Sequence, residues 1–485
     1  MAKRSVETSQ APGVVEVEEI SDKQVAAEMS DAIFRAYDIR GIVGDSLTPE
    51  VVYEIGRAFG SEAYERGQQT VVVGRDGRIS SQEFSEALCR GLESTGRDVI
   101  NVGMVPTPVL YFATEHLRTG TGIMVTGSHN SSEYNGLKMV LRGETLSGEM
   151  IQGLRKRIIS GNMLRGQGKR RDVDVLSDYL VRATGGLKPT RPLKVVVDCG
   201  NGVGGLIIDK LLQGIGCSVT SLYCEVDGSF PNHHPDPAVP ENMRALMDTV
   251  VKSGADVGFA FDGDADRLGV VDGKGHIIWP DRQLMLFAQD VLRDNAGANV
   301  IYDVKCSRNL PKVIHESGGV PLMWKTGHSL IKSKMKEIGA MLGGEMSGHL
   351  IVRDRWYGFD DALYAAARMV EILANDTQQR TPLEIFASLP DSVVTPELRL
   401  DMKEGEPQKF MDQLLAAPDV AEGQATLIDG LRIDFSEGFG LVRASNTSPC
   451  LVMRFEADDE QGLSRIQDIF RLKMYAIDPN LDLPF

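Results

Sequence analysis

A short apolar run that ends in a glycine-rich polar loop recurs along most of this chain. Runs of this kind begin near Val71, Gly122, Lys194, Val257, Asn299 and Met341. Each is continuous rather than alternating in polarity, which is typical of strands covered on both faces in mostly parallel sheets. Segments with helical periodicity lie between them, for example from Gln82 and from Arg282. This order predicts α/β domains, and ligands of such domains bind beyond the carboxyl ends of the strands.

Three polar or proline-containing seams divide the chain into four predicted domains behind a short leader. The seams lie at residues 161–174, around Pro280 and at residues 388–398. After the last seam, a helical stretch is followed by strands and a final amphipathic helix from about Asp459. We therefore predict three similar mixed α/β domains and a C-terminal α+β domain. The predicted boundaries are a flexible leader over residues 1–29 and domains over residues 30–173, 174–280, 281–390 and 391–485.

Charge and cysteine content narrow the class of protein. The net charge is −16, from 52 Lys and Arg against 68 Asp and Glu. This argues against a general binder of nucleic acid or of an anionic membrane, which would need a positive surface. No apolar run approaches the ~18 residues of a membrane span, and the leader has no apolar signal-peptide core. The six cysteines are scattered without a CxxC pair, which favours reduced thiols and a cytoplasmic location.

Three aspartates, Asp262, Asp264 and Asp266, follow one of the apolar strands at a spacing of two residues. If the chain curls into a loop there, their hard oxygens converge and suit Mg²⁺. An EF-hand is disfavoured, because Arg267 and Gly273 stand where it requires Gly and Glu. A phosphatase of the haloacid dehalogenase type would need Thr or Val in place of Asp266. A solvated acidic loop is the remaining alternative.

Ser128 directly follows another predicted strand and is flanked by His129. A nucleophile elbow of the Gly-x-Ser-x-Gly type is disfavoured, because Thr126 and Asn130 occupy the glycine positions. A helix N-cap is the alternative role for this serine. Further along the chain, Lys138 adds a candidate anion contact or proton carrier.

Two further loops combine side chains that suit a sugar phosphate. Residues 344–349 offer a carboxylate, a hydroxyl and an imidazole within one glycine-bounded loop, which suits vicinal sugar hydroxyls. Residues 443–448 combine one guanidinium with hydroxyls and an amide, which suits a phosphate dianion. An ordinary Asx or serine turn is the alternative for the second loop.

Taken together, these loops resemble, in order, four motifs of the α-D-phosphohexomutase superfamily: TGSHNSSEYNGLK, DGDADR, GEMSGH and RASNTSP. FRAYDIRG at residues 34–41 resembles its opening motif, and the similarity runs from about Ile33 to the end of the chain. GEMSG resembles the bacterial phosphomannomutase/phosphoglucomutase branch, whereas phosphoglucosamine mutases more often carry Gln in place of Met346. Ser131 and Ser132 stand where the first motif often has prolines, and we still favour Ser128 as the phosphorylated residue.

The resemblance implies a heart-shaped enzyme whose four domains each turn one loop toward a central cleft. It implies reversible phosphoryl transfer between O1 and O6 of mannose and glucose phosphates, through a phosphoserine and a hexose 1,6-bisphosphate. The implied cofactors are one Mg²⁺ per chain and glucose 1,6-bisphosphate as activator. The implied partners are hexose phosphates, without nucleic acid or membrane, and we expect a monomer, with a dimer as the alternative. A phosphoglucosamine mutase, a non-catalytic sugar-phosphate sensor and a metal-dependent phosphatase are the rival functions.

The resemblance also implies the site residues, which are named here by role. The catalytic residues are Ser128, Lys138, Arg40 and His129. The metal ligands are Ser128, Asp262, Asp264 and Asp266. The substrate-binding residues are Tyr37, Arg267, Lys305, His328, Glu345, Ser347, Arg443, Ser445, Asn446 and Thr447. We prefer Lys138 to Arg40 as the proton carrier, because arginine is a poor base.

Overall fold

Each apolar run singled out in the sequence forms a strand in the computed structural model of the chain. The structure describes residues 14–18, 29–416, 422–446 and 448–485. It divides into two compact units, residues 1–177 and residues 178–485. The strands that precede the predicted serine, metal and sugar loops are buried along their whole length, as continuous apolar runs predict.

The first unit contains one large mixed sheet and its covering helices. Its strands are β1 (Val14–Glu18), β2 (Ile39–Ile42), β3 (Thr70–Arg75), β4 (Asp98–Met104), β5 (Gly122–Val125), β6 (Tyr134–Leu141), β7 (Glu144–Thr145), β8 (Met163–Gly166) and β9 (Arg170–Asp172). Its helices are a 3₁₀ turn (Asp31–Ile33), α1 (Pro49–Glu65), α2 (Ser81–Glu93), α3 (Thr107–His116) and α4 (Glu149–Ser160).

The sheet of the first unit has the strand order β2-β6-β5-β3-β4-β9, with β7 paired to β6. Strands β4 and β5 run parallel to β3, whereas β6 runs antiparallel to β5. Outside this sheet, β1 pairs antiparallel with β8, so five residues of the predicted leader form a strand. The rest of that leader, up to residue 28, lies outside the described residues.

The second unit begins within α5 and contains three further sheets. Its helices are α5 (Leu176–Gly185), α6 (Ile208–Gly214), α7 (Arg244–Ser253), α8 (Pro280–Asp294), α9 (Asn309–Glu316), α10 (His328–Ile338), α11 (Ala362–Ala374), α12 (Pro382–Ala387), α13 (Glu406–Leu415) and α14 (Glu460–Tyr475), with 3₁₀ turns at Val203–Leu206 and Pro240–Met243. Its strands are β10 (Lys194–Asp198), β11 (Ser218–Leu222), β12 (Val257–Phe261), β13 (Leu268–Asp272), β14 (Ile277–Ile278), β15 (Asn299–Asp303), β16 (Val320–Trp324), β17 (Leu342–Gly344), β18 (Leu350–Val352), β19 (Val393–Val394), β20 (Leu398–Asp401), β21 (Gln424–Thr426), β22 (Leu431–Asp434), β23 (Gly438–Ala444) and β24 (Cys450–Ala457).

The first three sheets repeat one topology. In each, the first parallel strand lies in the middle, the next two flank it, and a fourth strand returns antiparallel beside the third. The strand orders are β4-β3-β5-β6, β11-β10-β12-β13 and β16-β15-β17-β18. The predicted serine, metal and sugar loops therefore occupy the same place, between the third and fourth strands of their sheets. The prediction of three similar mixed α/β domains is confirmed.

The C-terminal sheet is antiparallel throughout, with the order β19-β24-β23-β22-β21 and with β20 paired to β24. Helices α13 and α14 supply Phe410 and Phe470 to its core. The ring of Phe470 packs edge-on against Phe455 of β24, with centroids 5.4 Å apart. This is the α+β domain that the sequence predicted, and its final helix begins at the cap residue Asp459.

A buried carboxylate joins α5 to α11 within the second unit. Asp361 caps α11 by accepting the backbone N–H of Tyr364 at 2.9 Å. It also accepts the Tyr179 hydroxyl at 2.9 Å and Trp356 Nε1–H at 3.1 Å. Burial raises the pKa of Asp361 to about 7, although these hydrogen bonds lower it in part.

We expect Asp361→Asn to change the pH dependence of stability. Because the native pKa lies above the unfolded value, the folded protein keeps a proton that the unfolded chain releases between about pH 4 and pH 7. The contribution of Asp361 to stability therefore falls as pH rises through this window and is constant above it. Relative to the asparagine variant, the wild type should lose at most roughly 4 kcal/mol from pH 4 to pH 7. Thermal midpoints across this range measure the difference.

Exposed Asp294 on α8 provides the control, because Asp294→Asn removes the same charge without a buried site. A difference between wild type and Asp361→Asn that does not change with pH would contradict the assignment.

Candidate active site

Ser128 lies in the loop between β5 and β6 and is buried. Its φ is +49°, a left-handed backbone conformation that costs a non-glycine residue about 1–2 kcal/mol. Its N–H donates to Thr126 Oγ1 at 2.8 Å, and its hydroxyl lies 3.3 Å from Nδ1 of half-buried His129. The loop thus holds one hydroxyl beside one imidazole in a strained, ordered turn.

The guanidinium of Arg78 fixes the backbone of this loop by hydrogen bonds. It donates to the backbone carbonyls of Ser128 (2.8 Å), Asn130 (2.6 Å), Ser131 (2.6 Å) and Tyr134 (3.0 Å). Arg78 is itself buried, so these bonds are shielded from water. Arg78 was not among the predicted site residues, and its only signal in the sequence is the RDGR segment at the end of β3, the strand parallel to β5.

Asp76 and Gly127 complete this support. Asp76 Oδ2 lies 3.2 Å from Arg78 Nε and accepts the N–H of Gly127 at 3.2 Å. A Cβ atom at Gly127 would lie 2.5 Å from Arg78 Nε, so only glycine lets the guanidinium approach. Arg78 and Asp76 are therefore positioning groups for the serine loop.

We expect Arg78→Lys to lower kcat about 100-fold while KM changes little, because an ammonium cannot bridge four carbonyls and a small misplacement of the nucleophile is costly. Steady-state kinetics measure the two constants, and the thermal midpoint checks folding. Arg75→Lys, at the end of β3 and three residues before Arg78, is the matched control. An equal rise in KM would indicate a substrate-binding role instead.

The predicted proton carriers lie on neighbouring strands of the same sheet. Arg40 is on β2 and Lys138 on β6, which pair antiparallel, and Lys138 is buried. Arg40 Nη2 lies 2.5 Å from Asp38 Oδ2, and Arg40 Nη1 donates to the side-chain oxygen of Asn130 in the serine loop. Half-buried Tyr37 precedes β2.

The metal loop lies between β12 and β13, and its three aspartates are fully buried. Asp262, Asp264 and Asp266 each offer a carboxylate oxygen, and these oxygens lie within 4.8 Å of one another. Asp262 Oδ1 accepts the N–H groups of Asp266 and Arg267, each at 3.1 Å, and Ala265 has a φ of +61°, so the chain curls as the spacing predicted. Three convergent hard oxygens fit Mg²⁺.

A histidine connects this metal loop to the predicted sugar loop. His349 Nε2 lies 3.4 Å from Asp266 Oδ1, and its Nδ1 lies 2.8 Å from Glu345 Oε2 and 2.9 Å from Ser347 Oγ. Burial alone would lower the pKa of His349, but Asp266 and Glu345 outweigh it and raise the pKa to about 9. Burial likewise opposes ionisation of Glu345, whose pKa is lowered to about 2 by His349. Although it ends the GEMSGH motif, His349 was absent from the predicted site residues.

His328 stacks on His349, with ring centroids 5.0 Å apart and planes at 18°. Its Nδ1 lies 2.6 Å from Asp360 Oδ2, and Lys332 Nζ lies 2.6 Å from the other oxygen of this carboxylate. Burial lowers the pKa of His328, although the negative charge of Asp360 acts in the opposite direction. Near the metal loop, Arg267 Nε lies 4.0 Å from Asp262 Oδ2.

Lys305 follows β15 and is buried against carboxylates from two domains. Its Nζ lies 3.0 Å from Glu397 Oε2 and 3.9 Å from Asp303 Oδ2. Burial would lower the pKa of Lys305, but Glu397 and Asp303 raise it above its ordinary value. Lys305 in turn lowers the pKa of Glu397 to about 2.

Arg443 is the penultimate residue of β23, and Asp429 holds its guanidinium. Nε and Nη2 of Arg443 donate to the two Asp429 oxygens at 3.1 and 3.3 Å. Asp429 also accepts the N–H of Thr326 at 2.9 Å, and Asn446 Nδ2 donates to the Thr326 carbonyl at 3.4 Å. Half-buried Ser445 follows β23 and accepts the N–H of Ser448 at 3.3 Å. Thr447 lies outside the described residues.

These contacts join most predicted residues of the second unit into one network. Glu345 Oε1 accepts the N–H of Gly327 at 2.6 Å, and Gly327 follows Thr326 in the chain. The network runs in the order Asp266, His349, Glu345, Gly327, Thr326, Asp429 and Arg443. Tyr37, Arg40, Ser128, His129 and Lys138 belong to the first unit.

Repeated α/β domains, a buried carboxylate triad and cationic groups suited to phosphate define the class as a metal-dependent enzyme that acts on sugar phosphates. Comparison with known proteins specifies the family. Three alpha/beta/alpha domains and the C-terminal domain of phosphoglucomutase/phosphomannomutase match residues 31–164, 178–275, 279–393 and 397–473. The chain therefore belongs to the phosphoglucomutase/phosphomannomutase family, a Mg²⁺-dependent isomerase family that interconverts hexose phosphates by phosphoryl transfer.

Similar proteins span nearly the whole chain. A phosphomannomutase/phosphoglucomutase of Pseudomonas aeruginosa is 52% identical over 460 residues, which cover 95% of this chain and 99% of that protein. A phosphoglucomutase of Neisseria meningitidis serogroup A is 50% identical over 462 residues, covering 94% and 100%. The crystal structure of a phosphoglucomutase/phosphomannomutase family protein from Burkholderia thailandensis has a TM-score of 0.90 at 51% identity, covering 94% and 100%.

The positions of the domain boundaries and the absence of a membrane span were also predicted from the sequence. The domain boundaries at residues 173, 280 and 390 stay predictions. Among the helices of the described ranges, none combines the length and apolar character needed to cross a membrane.

Proposed function

We propose that this chain is a phosphomannomutase/phosphoglucomutase that moves a phosphoryl group between O1 and O6 of mannose and glucose phosphates. The reaction proceeds through a phosphoserine at Ser128 and a hexose 1,6-bisphosphate. The observation that carries the proposal is the contact of the metal loop with the sugar loop, Asp266 to His349 to Glu345. It supports a site in which the proposed Mg²⁺ ligands are held beside the loop that binds sugar hydroxyls.

Ser128 carries the phosphoryl group and transfers it to the free hydroxyl of the sugar. The Ser128–Arg78 contacts keep the serine in one conformation, so little entropy is lost when the oxygen attacks. Lys138 takes the proton of the accepting hydroxyl, and Arg40 and His129 are the other polar groups of the serine site. When the second phosphoryl group returns to Ser128, the same groups act in the reverse direction.

Asp262, Asp264 and Asp266 would hold the Mg²⁺, which supplies positive charge to the phosphoryl group in transfer. Arg267 adds a fixed positive charge next to Asp262. Ser128 lies in the unit of residues 1–177 and the aspartates in that of residues 178–485, and its part as a further metal ligand stays a prediction.

The substrate is bound at its hydroxyls and at one phosphate. The sugar hydroxyls are bound by Glu345, Ser347 and His328. The phosphate that is not being transferred is bound by Arg443, Ser445, Asn446, Thr447 and Lys305. Tyr37 completes the substrate contacts of the first unit. Ionised Glu345 accepts hydrogen bonds from two vicinal hydroxyls, which mannose and glucose share at O3 and O4. Because O2 is where these two sugars differ, a site that reads O3 and O4 accepts both. This accounts for dual specificity.

We expect Arg443→Gln to raise KM for glucose 1-phosphate about 30–100-fold and to lower kcat less, because a charge-assisted contact to a spectator phosphate contributes about 2–3 kcal/mol. Steady-state kinetics separate the two effects. Arg465→Gln, an exposed arginine on α14 of the same domain, is the matched control and should change neither constant. A fall in kcat alone would contradict the assignment.

An isomerisation assay with Mg²⁺ and a trace of glucose 1,6-bisphosphate tests the proposal. Mannose 1-phosphate, glucose 1-phosphate and glucosamine 1-phosphate are compared, and released inorganic phosphate is measured. Turnover of the first two without phosphate release supports it. Preference for glucosamine 1-phosphate would indicate a phosphoglucosamine mutase. Steady release of inorganic phosphate would indicate a phosphatase, and absence of turnover would indicate a sensor. Omitting the bisphosphate tests its proposed role as activator.

A monomeric state and a cytoplasmic location remain predictions from the sequence. The location is supported by the six cysteines, which all carry free thiols.

A further inference from the structure

Two cysteine thiols lie side by side in the second unit, outside the groups that the proposed reaction uses. Cys199 follows β10 and Cys224 lies two residues after β11, and their Sγ atoms are 3.4 Å apart. Strands β10 and β11 run parallel, and the Cys199 N–H donates to the Leu222 carbonyl at 3.2 Å. Because paired strands lie about 4.8 Å apart, the two backbones are within the span of a disulfide.

The two thiols differ in access. Cys199 is fully buried, whereas Cys224 is partly exposed and reachable by a small reagent. The hydrogen bond with Cys224 and burial raise the pKa of Cys199 well above its ordinary value, so Cys199 stays protonated until its partner has reacted. Burial also raises the pKa of Cys89 to about 12 and of Cys217 to about 11, which makes those thiols unreactive.

The segment after Cys199 supports the metal loop. The Val203 N–H donates to the Gly263 carbonyl at 3.1 Å. A Cβ atom at Gly204 would lie 3.3 Å from the Cβ of Ala265 and 3.7 Å from Cys199 Sγ. Gly204 therefore lies between the Cys199 sulfur and Ala265, which is the residue between Asp264 and Asp266. Bringing the sulfurs from 3.4 Å to the about 2.05 Å of a disulfide must displace at least one of them, and displacement of the Cys199 sulfur changes the packing next to Gly204 and Ala265.

We propose that Cys199 and Cys224 form a reversible disulfide by reaction with a low-molecular-weight disulfide, and that closing it weakens Mg²⁺ binding at Asp262, Asp264 and Asp266. The second part rests on the proposed function, since it takes the triad to be the Mg²⁺ site. The pair is therefore a thiol modification site coupled to the metal loop. Reversible disulfides of reducing compartments commonly have such a regulatory role.

The reaction is a thiol–disulfide exchange in two steps. The Cys224 thiolate attacks one sulfur of the reagent RSSR, which forms a Cys224–S–S–R bond and releases RS⁻. Cys199 then loses its proton and attacks Cys224 Sγ, which expels the second RS⁻. The two cysteines lose two electrons and two protons, and the reagent is reduced to two RSH.

The test exposes the full chain to glutathione buffers of increasing oxidised fraction and follows intact mass and peptide linkage. The wild type should lose the mass of two hydrogens through a Cys199–Cys224 link that dithiothreitol reverses. Cys199→Ser should instead keep one glutathionyl group on Cys224, and Cys224→Ser should keep all its thiols. Calorimetric titration with Mg²⁺ alone should show about tenfold weaker binding by the oxidised wild type.

Each other outcome would contradict one part of the proposal. Thiols that persist in every buffer, or a link between other cysteines, would remove the modification site. A disulfide that leaves Mg²⁺ affinity unchanged would remove the coupling. Failure of the reduced wild type to bind Mg²⁺ at the triad would count against the proposed function, whereas the mass readout would still decide the disulfide. Thermal midpoints confirm that both variants fold.

Discussion

Replacement of Ser128 by alanine is expected to lower turnover of mannose 1-phosphate and glucose 1-phosphate by about 10⁴-fold or more. Without the hydroxyl there is no group to carry the phosphoryl between the two positions of the sugar. Folding should be unaffected, because the loop is held through its backbone by Arg78 rather than through the serine side chain. Turnover is measured by a coupled assay, and the phosphorylated fraction by intact mass after incubation with glucose 1,6-bisphosphate.

The same loop contains its own controls. Ser131 and Ser132 are exposed hydroxyls a few residues further on, and alanine at either position should leave turnover and phosphorylation near wild type. Loss of the phosphoryl adduct only in Ser128→Ala supports the assignment. Full activity in Ser128→Ala, together with loss in Ser131→Ala, would transfer the role to the neighbouring hydroxyl.

Asp264→Asn is expected to weaken Mg²⁺ binding strongly and to lower kcat about 10²–10³-fold, because the metal offsets several kcal/mol of charge in the transferring group. Asp264 is the most informative of the three aspartates. Asp262 also accepts two backbone N–H groups of the loop, and Asp266 contacts His349, so their replacement would disturb structure as well. Calorimetry with Mg²⁺ and turnover across a Mg²⁺ series measure both effects.

Asp248→Asn removes an exposed carboxylate from α7 of the same domain and should change neither quantity. Wild-type Mg²⁺ affinity in Asp264→Asn would show that the metal binds elsewhere. Weak binding that is fully restored at high Mg²⁺, with normal kcat, would show that Asp264 sets affinity alone.

The strands and the site loops could be predicted because their signals are local. A continuous apolar run followed by glycine and polar residues marks a buried strand and its loop wherever it occurs, and each such run is a strand. Asp262, Asp264 and Asp266 lie within five residues, so one curl of the chain brings them together. The C-terminal α+β domain was predictable for the same reason, since its strands and helices each have their own periodicity.

The residues that hold the site in place were missed, because their partners are distant in the chain. Arg78 reaches carbonyls 50 to 56 residues away, and the Asp429–Thr326 contact spans 103 residues. No local pattern distinguishes such an arginine or aspartate from a surface residue. His349 was visible in its motif, but its role as the connection between Asp266 and Glu345 required the two loops to be adjacent.

By itself, the sequence determined that the continuous apolar runs are strands and which loops carry potentially reactive groups, because these features depend on neighbouring residues. Only the tertiary structure decided that the serine, metal and sugar loops occupy equivalent positions in three repeated sheets. It also decided which buried charges face one another, and therefore the directions in which the pKa values of Glu345, His349 and Asp361 move. The physical reason is that burial and Coulomb interactions depend on distance in space, which sheet order sets and sequence separation does not.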